Sequence, residues 1–199
     1  MLTELTSSPD WQYRRSAAEA LGYHRFGRQA TSTLSRLLGD PSPYVVRTAC
    51  DAVARLALHD AHDAVAALLR SSEAATRLRA VEALVALWQP DDFAPAFAAY
   101  RADSSEEMRR QAAWTLRATA SEDTWQRLFE AWHRDPLPRH RVWAVELAAA
   151  FGDNEVKAQV QALTTDRDGH VRKAAQRSLQ QLEKANRGHD TETAPSFGY

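Results

Sequence analysis

An all-α solenoid is the fold class this sequence predicts, and three observations predict it. A ten-residue pattern rich in Arg, Ala and Leu recurs six times, starting at Tyr13, Val45, Thr76, Met108, Arg139 and Val171, at intervals of 31 to 32 residues. The first copy reads YRRSAAEALG, the fourth MRRQAAWTLR and the sixth VRKAAQRSLQ. Each of the first five copies is followed by a second apolar pattern of helical period, and no stretch alternates as a strand would. A period in this range marks a stacked helical array, in which each unit buries its apolar face only against its neighbours.

The first helix of each repeat, helix A, is fixed by its columns. Counting each start as position 1, position 9 holds Leu21, Val53, Leu84, Leu116, Leu147 and Leu179. Position 5 holds Ala17, Ala49, Ala80, Ala112, Trp143 and Ala175, and position 12 adds Leu56, Leu87 and Leu182. The i, i+4, i+7 spacing makes one apolar stripe, and alanine within it lets a neighbouring helix approach closely. Helix B follows with Leu34/Leu37, Val65/Leu69, Phe97/Tyr100, Leu128/Trp132 and Val160/Leu163. Turns fall at Gly27, Gln89-Pro90-Asp91, Ser121-Glu122-Asp123 and Gly152-Asp153, and the segments from Asp40 to Pro43 and from Asp135 to Pro138 lead into the next helix A. Aspartate or serine caps a helix start, and proline fits its first turn. The fifth repeat admits two registers: starting one residue later moves Val145 and Phe151 into the core and Trp143 toward solvent.

These columns predict about eleven helices, in five and a half pairs over residues 10–184, wound as a right-handed superhelix. One continuous solenoid is expected rather than two globular domains. Leu2 and Leu5 are expected to fold over the first repeat. Gln176, Arg177, Gln180 and Gln181 give the last helix A the polar outer face of a terminal cap. Residues 185–199, polar and containing Gly and Pro, read as a disordered tail.

With DPSPYVVRTA and DRDGHVRKAA added to the copies quoted above, the pattern resembles the HEAT-repeat family, in particular the short HEAT-like repeats of phycobilisome lyases. The resemblance implies an armadillo-like α-solenoid and a scaffold that binds other proteins. It carries no single activity, since function resides in sites rather than folds. Some HEAT-like proteins are enzymes. Deoxyhypusine hydroxylase holds iron through His-Glu pairs, and this chain has no His-Glu dipeptide. Alkylpurine DNA glycosylases grip DNA on the inner face with basic and aromatic side chains, and the corresponding B-helix positions here are small and mostly uncharged.

Composition narrows the function further. Twenty-five basic and 26 acidic residues leave the chain nearly neutral, without the basic excess of a dedicated nucleic-acid binder. The one cysteine, Cys50, falls in the apolar column of helix A, so no intrachain disulfide is possible. The start MLTELTSSPD has no basic region followed by an apolar run, so no signal peptide is expected, and no apolar stretch approaches ~18 residues. A cytoplasmic protein is expected, with an Ala/Arg-rich composition that suggests a bacterial source. No phosphate loop, nucleophile elbow or paired catalytic carboxylates appear.

Four constellations remain. Arg15, Arg47, Arg110, Arg141 and Lys173 share position 3; they read as a structural ladder pairing with aspartates such as Asp10, Asp40, Asp135 and Asp166 near the inter-repeat turns. His59 and His62, with Asp60 and Asp63, have ligand spacing, but no further His or Cys completes a metal sphere, and the segment reads as a solvated turn. The B-helix face offers Ala67, Leu68, Ala98, Ala99 and Ala131, rimmed by Arg70, Arg101 and Arg134, a small-residue groove suited to a peptide or helix. On the opposite face, position 7 turns from charged residues to Trp114 and Val145, with Val142 close by. The expected function is therefore a non-enzymatic adaptor, scaffold, or immunity or inhibitor protein. It would bind a protein or peptide with no cofactor, metal, nucleic acid or membrane. The partner-binding candidates are Ala67, Leu68, Arg70, Ala98, Ala99, Arg101, Ala131, Arg134 and Trp114. The competing expectation is an enzyme or enzyme subunit, such as a bilin-lyase-like component or a DNA glycosylase.

Overall fold

The computed structural model describes residues 2–23, 30–152 and 154–192. Among them are eleven α-helices besides a single four-residue turn, α1 (Leu2–Leu5), and no strand. The expected turn residues Gly27 and Asp153 lie outside the described residues. The helices fall into two compact units, Met1–Thr119 and Ala120–Tyr199.

The first unit contains three A/B pairs: α2 (Trp11–Leu21) with α3 (Thr31–Leu37), α4 (Pro43–Arg55) with α5 (His62–Ala67), and α6 (Ala74–Leu87) with α7 (Phe93–Ala102). It closes with α8 (Glu106–Ala118), the fourth A helix. The second unit holds α9 (Trp125–Trp132), α10 (Pro138–Phe151), α11 (Lys157–Ala162) and α12 (Gly169–Glu192). Successive A helices pack side by side: α2 on α4, α4 on α6 and α6 on α8 in the first unit, and α10 on α12 in the second.

The alanine column makes this possible. Ala17, Ala49, Ala80 and Ala112 are at most 1% exposed, and Leu84, Leu87 and Leu116 are fully buried. Gly22 shows how tight the approach is: a Cβ there would lie 2.9 Å from that of Ala52 on α4. The B helices bury Leu34, Leu37, Val65, Leu128, Trp132 and Val160 as their pattern predicts. In the third repeat Phe93 and Ala96 are the buried pair instead, and Phe97 and Tyr100 are half-buried, with rings 5.9 Å apart. Helix starts are capped as expected, Asp10 accepting from the Gln12 N–H and Ser105 from the Met108 N–H. At the N-terminal end Thr6 is fully buried and takes the Arg36 guanidinium at 2.8 Å, fastening the segment after α1 to α3.

The arginine ladder is present: Arg47 and Arg141 pair with carboxylates as the sequence columns suggested, and in the first and third repeats the ladder residue lies one position earlier. Arg14, Arg77 and Arg141 each fork onto the carboxylate that precedes the next A helix: Asp40 at 2.7 and 2.9 Å, Asp103 at 2.8 and 2.7 Å, and Asp166 at 2.8 and 2.8 Å. The remaining nitrogen of each donates to two carbonyls in the turn before its own helix, as Arg77 does to Ser71 and Ser72. Arg172 makes the same contact with its own turn, and Arg109 donates to the Asp103 carbonyl of its own. The reason is helical phase: position 2 points toward the turns, whereas Arg15, Arg110 and Lys173 at position 3 face solvent. Two act from position 3 as counted from the sequence: Arg47 binds Glu73 because position 2 of its repeat is the buried Val46, and Arg141 binds Asp166 because its repeat starts one residue later. Asp40, Asp103 and Asp166 also accept the N–H two residues ahead, which closes each turn.

The fifth repeat takes the later of its two registers. Ala144, Val145 and Ala148 are fully buried, so Ala144 fills the alanine column and Arg141 falls into ladder phase. Trp143 is half-buried, its ring 5.6 Å from Trp132 and 5.3 Å from His140. At the C-terminal end Gln176, Arg177, Gln180 and Gln181 are exposed while Leu182 is buried, the two faces of a terminal cap. Helix α12 continues to Glu192, past the expected start of a disordered tail at 185. No proline falls between Ala185 and Glu192, the first being Pro195. Residues 193–199 lie outside the described residues.

Leu116→Ala empties a fully buried site between A helices and is expected to cost about 2–5 kcal/mol in chemical denaturation. The ladder predicts an acid limit. The Arg77 and Arg141 guanidinium groups hold Asp103 and Asp166 below the usual carboxylate range. For Asp40 burial pushes the other way, and the Arg14 bonds outweigh it. Depressed folded-state values stabilise the fold above the unfolded carboxylate pKa of about 3.9, and that stability is lost as pH falls through the lower folded values. Unfolding free energy measured by denaturant is therefore expected to drop steeply below about pH 4, less so in Arg77→Gln.

Candidate functional site

Two B helices of the first unit form the site. The chain leaves α4 through Ala57, whose φ of 48° is left-handed, and the Leu58 N–H reaches back to the Val53 carbonyl at 3.1 Å. This reversal is the common way to close a helix. It directs the chain through a 3₁₀ turn, His59–Ala61, into α5. On the other side a 3₁₀ turn, Pro90–Asp92, starts α7, with the Gln89 N–H bonded to Asp92.

The two starts are joined by a buried ion pair. His62 Nε2 lies 3.0 and 2.9 Å from the two oxygens of Asp92, and His62 Nδ1 lies 2.9 Å from Asp63. His62 is 6% and Asp92 2% exposed. Burial works against a charged ring, but the two carboxylates outweigh it and raise the imidazole above its ordinary value. A carboxylate at each nitrogen favours the doubly protonated ring. Among the described residues no group of three His, Cys, Asp or Glu could hold a metal ion.

Between α5 and α7 runs a groove of about 650 Å³. Ala66, Ala67, Ala98, Ala99 and Leu69 line it. Asp63 and Asp91 stand at the end marked by the His62–Asp92 pair, and Arg70 and Asp103 at the other. Four expected residues, Ala67, Arg70, Ala98 and Ala99, thus share one surface. Leu68 does not: it is half-buried and lines a separate depression of about 500 Å³ with Leu38, Pro41 and Pro43. Arg101 is exposed just outside the groove's lining. In the second unit Arg134 lines a smaller groove of about 320 Å³ with His133, Ala158 and Ala162, and Ala131 is half-buried. Among the other candidates, Trp114 is 46% exposed on α8. Val145 is fully buried and Val142 half-buried, so the expected apolar outer face is not built around Val145. Cys50 is fully buried; burial, with Asp51 close by, pushes its thiol up to about 12, which makes it a packing residue.

The His59–His62 segment therefore differs from the solvated turn expected. His59 is exposed, and His62 clamps two repeats together. The signal in the sequence was the separation from Asp92, 30 residues or about one repeat, which puts both at equivalent B-helix starts.

A HEAT-repeat family model matches residues 1–85 and 93–180. The chain belongs to the HEAT-repeat family. No curated protein matches it. Among solved structures it is similar to a designed armadillo repeat protein in complex with the peptide (KR)4, at 22% identity, TM-score 0.64, covering 91% of this chain and 98% of that one. It is also similar to the complex of CpcE and CpcF of phycocyanin lyase from Nostoc sp., at 17% identity, TM-score 0.58, covering 87% and 73%. A third is YIBA_ECOLI, at 17% identity, TM-score 0.60, covering 100% and 76%. At these identities the likeness shows the fold alone. Within it, no described helix is long and apolar enough to cross a membrane.

His62→Ala would leave the Asp92 carboxylate buried without its cation, and is expected to cost about 3 kcal/mol, while His59→Ala changes stability by less than about 0.5 kcal/mol. Because the folded imidazole pKa is raised, its contribution is complete below the unfolded value of about 6.5 and is lost as pH rises through the folded value. The stability gap between wild type and His62→Ala should accordingly be wider at pH 6 than at pH 9.

Proposed function

We propose that this HEAT-repeat chain is a non-enzymatic interaction module that takes a polypeptide partner on its B-helix face. The observation that carries this reading is the alanine-lined groove between α5 and α7. It is large enough for several residues of a partner chain, and its floor offers methyl groups with no chemistry beyond packing. A surface of this kind can accept the backbone and small side chains of an extended segment or helix. The peptide in the armadillo complex supports this use of the fold. The near-neutral charge and the small-residue lining favour a protein over nucleic acid. A bacterial cytoplasm is the setting we propose, in keeping with the Ala/Arg-rich composition and the single cysteine. An adaptor or an inhibitor of a single target would both use the groove in this way.

Trp114, 46% exposed on α8, is the competing contact point, since exposed tryptophans are frequent hot spots. Two variants separate the surfaces once pull-down from the native host has identified the partner. Ala98→Glu places a charge on the exposed groove floor and is expected to abolish binding, because burying that unpaired charge costs several kcal/mol. Trp114→Ala is expected to leave the complex intact. An undiminished complex with folded Ala98→Glu, together with loss at Trp114→Ala, would move the site to the other face.

A further inference from the structure

We infer that the groove between α5 and α7 selects a polypeptide segment carrying lysine or arginine, the cationic head group seated between Asp63 and Asp91 and the chain lying over Ala67, Ala98 and Ala99. This rests on the groove reading above and adds the chemistry of its occupant.

The inference follows from which charges are already matched. Asp103 is held by the Arg77 fork at 2.8 and 2.7 Å, so it is neutralised from outside the groove. Asp92 faces the His62 ring with both oxygens, at 3.0 and 2.9 Å, and that imidazolium is its counterion. Asp63 shares the same ring through Nδ1, yet its side chain is fully exposed. Asp91 is exposed and has no hydrogen bond or ion pair among the described residues. Three carboxylates, Asp63, Asp91 and Asp92, thus stand at one end with the single His62 ring, which contacts only Asp63 and Asp92. Among the described residues, the only cation lining the groove and open to solvent is Arg70, in the 3₁₀ turn after α5. The end marked by Asp63 and Asp91 is therefore negative, and His62–Asp92 fixes the two carboxylates on a common edge by tying their backbones together. An ammonium or guanidinium there meets two carboxylates. A carboxylate entering the same end would meet repulsion from both. The apolar floor begins next to them, so an aliphatic lysine or arginine stem can pack on alanine methyls while its head stays at the wet edge.

The probe is a capped hexapeptide, Ala-Lys-Ala-Lys-Ala-Lys, titrated into the full ¹⁵N-labelled chain and followed by amide shifts. The Ala-Glu-Ala-Glu-Ala-Glu peptide serves as its opposite. Shifts from the lysine peptide are expected at Asp63, Ala67, Asp91, Ala98 and Ala99, weakening as salt rises, with no comparable shifts from the glutamate peptide. Asp91→Asn removes an unpaired charge and no bond, so it should keep the fold and weaken the lysine peptide about three- to fivefold, in line with one exposed charge pair. Arg70→Gln should leave that binding equal or stronger. Equal binding of both peptides, shifts confined to other surfaces, or affinity unchanged in folded Asp91→Asn would overturn the inference. The groove reading fails separately: it falls if Ala98→Glu leaves the native partner bound, whatever the peptides do.

Discussion

An arginine in the first turn of an A helix grips two inter-repeat turns at once. Through one nitrogen it closes the turn behind it, and through the other two it holds the aspartate of the turn ahead. Stacked helices with small residues at their contacts have few large side chains to interlock, so their register needs another source. A planar fork onto a carboxylate that itself closes a turn supplies it, because both partners are fixed in direction as well as distance. The partners are nearly buried: Arg141 and Asp166 have 6% and 9% of their side chains exposed. Breaking one would therefore disturb two turns and leave a poorly solvated charge. The alanine column sets how close the A helices come, and the ladder sets where along each other they stop.

The His62–Asp92 pair does a related task on the B-helix side, where the small-residue groove gives α5 and α7 little to hold each other. A wide groove and a firm spacing are hard to combine with apolar packing alone. A buried ion pair at one end keeps the two helix starts together while the alanine floor between them stays open. Trp114 differs in kind, being a single exposed ring on α8 with charged residues at the same position of the earlier repeats, Glu19, Asp51 and Glu82.

The fold was legible because its signal is a column repeated six times; chance does not place Ala49, Ala80, Ala112 and Ala175 at one phase. The ladder was legible in kind, and in position at Arg47 and Arg141, but misread by one residue elsewhere. Adjacent arginines such as Arg14-Arg15 and Arg109-Arg110 look alike in sequence, and only the helix phase relative to the turn separates them. Repeat five was ambiguous because VWAVELAAA offers two stripes of nearly equal apolarity; the structure chose the one that also brings Arg141 onto Asp166. Of the groove, the alanine floor and Arg70 were readable from periodicity. The acidic edge was not, since His62 and Asp92 come together only across a repeat. Leu68 was misplaced for a related reason: α5 gives way to a 3₁₀ turn at Leu68–Arg70, which rotates it off the α-helical phase.

The ladder also dictates where this chain can grow. From arginine to aspartate the separation is 26 residues at Arg14 and Arg77, and 25 at Arg141, while the fork geometry is the same. The missing residue is absorbed without moving either end of the fork. Extra length in a loop between helix A and helix B can bulge away in the same manner. Extra length between a B helix and the next A helix cannot, because it would carry the aspartate off its arginine and open the turn that arginine closes. One edge of the array is thus free to lengthen, by drift or by engineering, and the other is locked at its present length. Insertions or grafted epitopes belong on the A-to-B side.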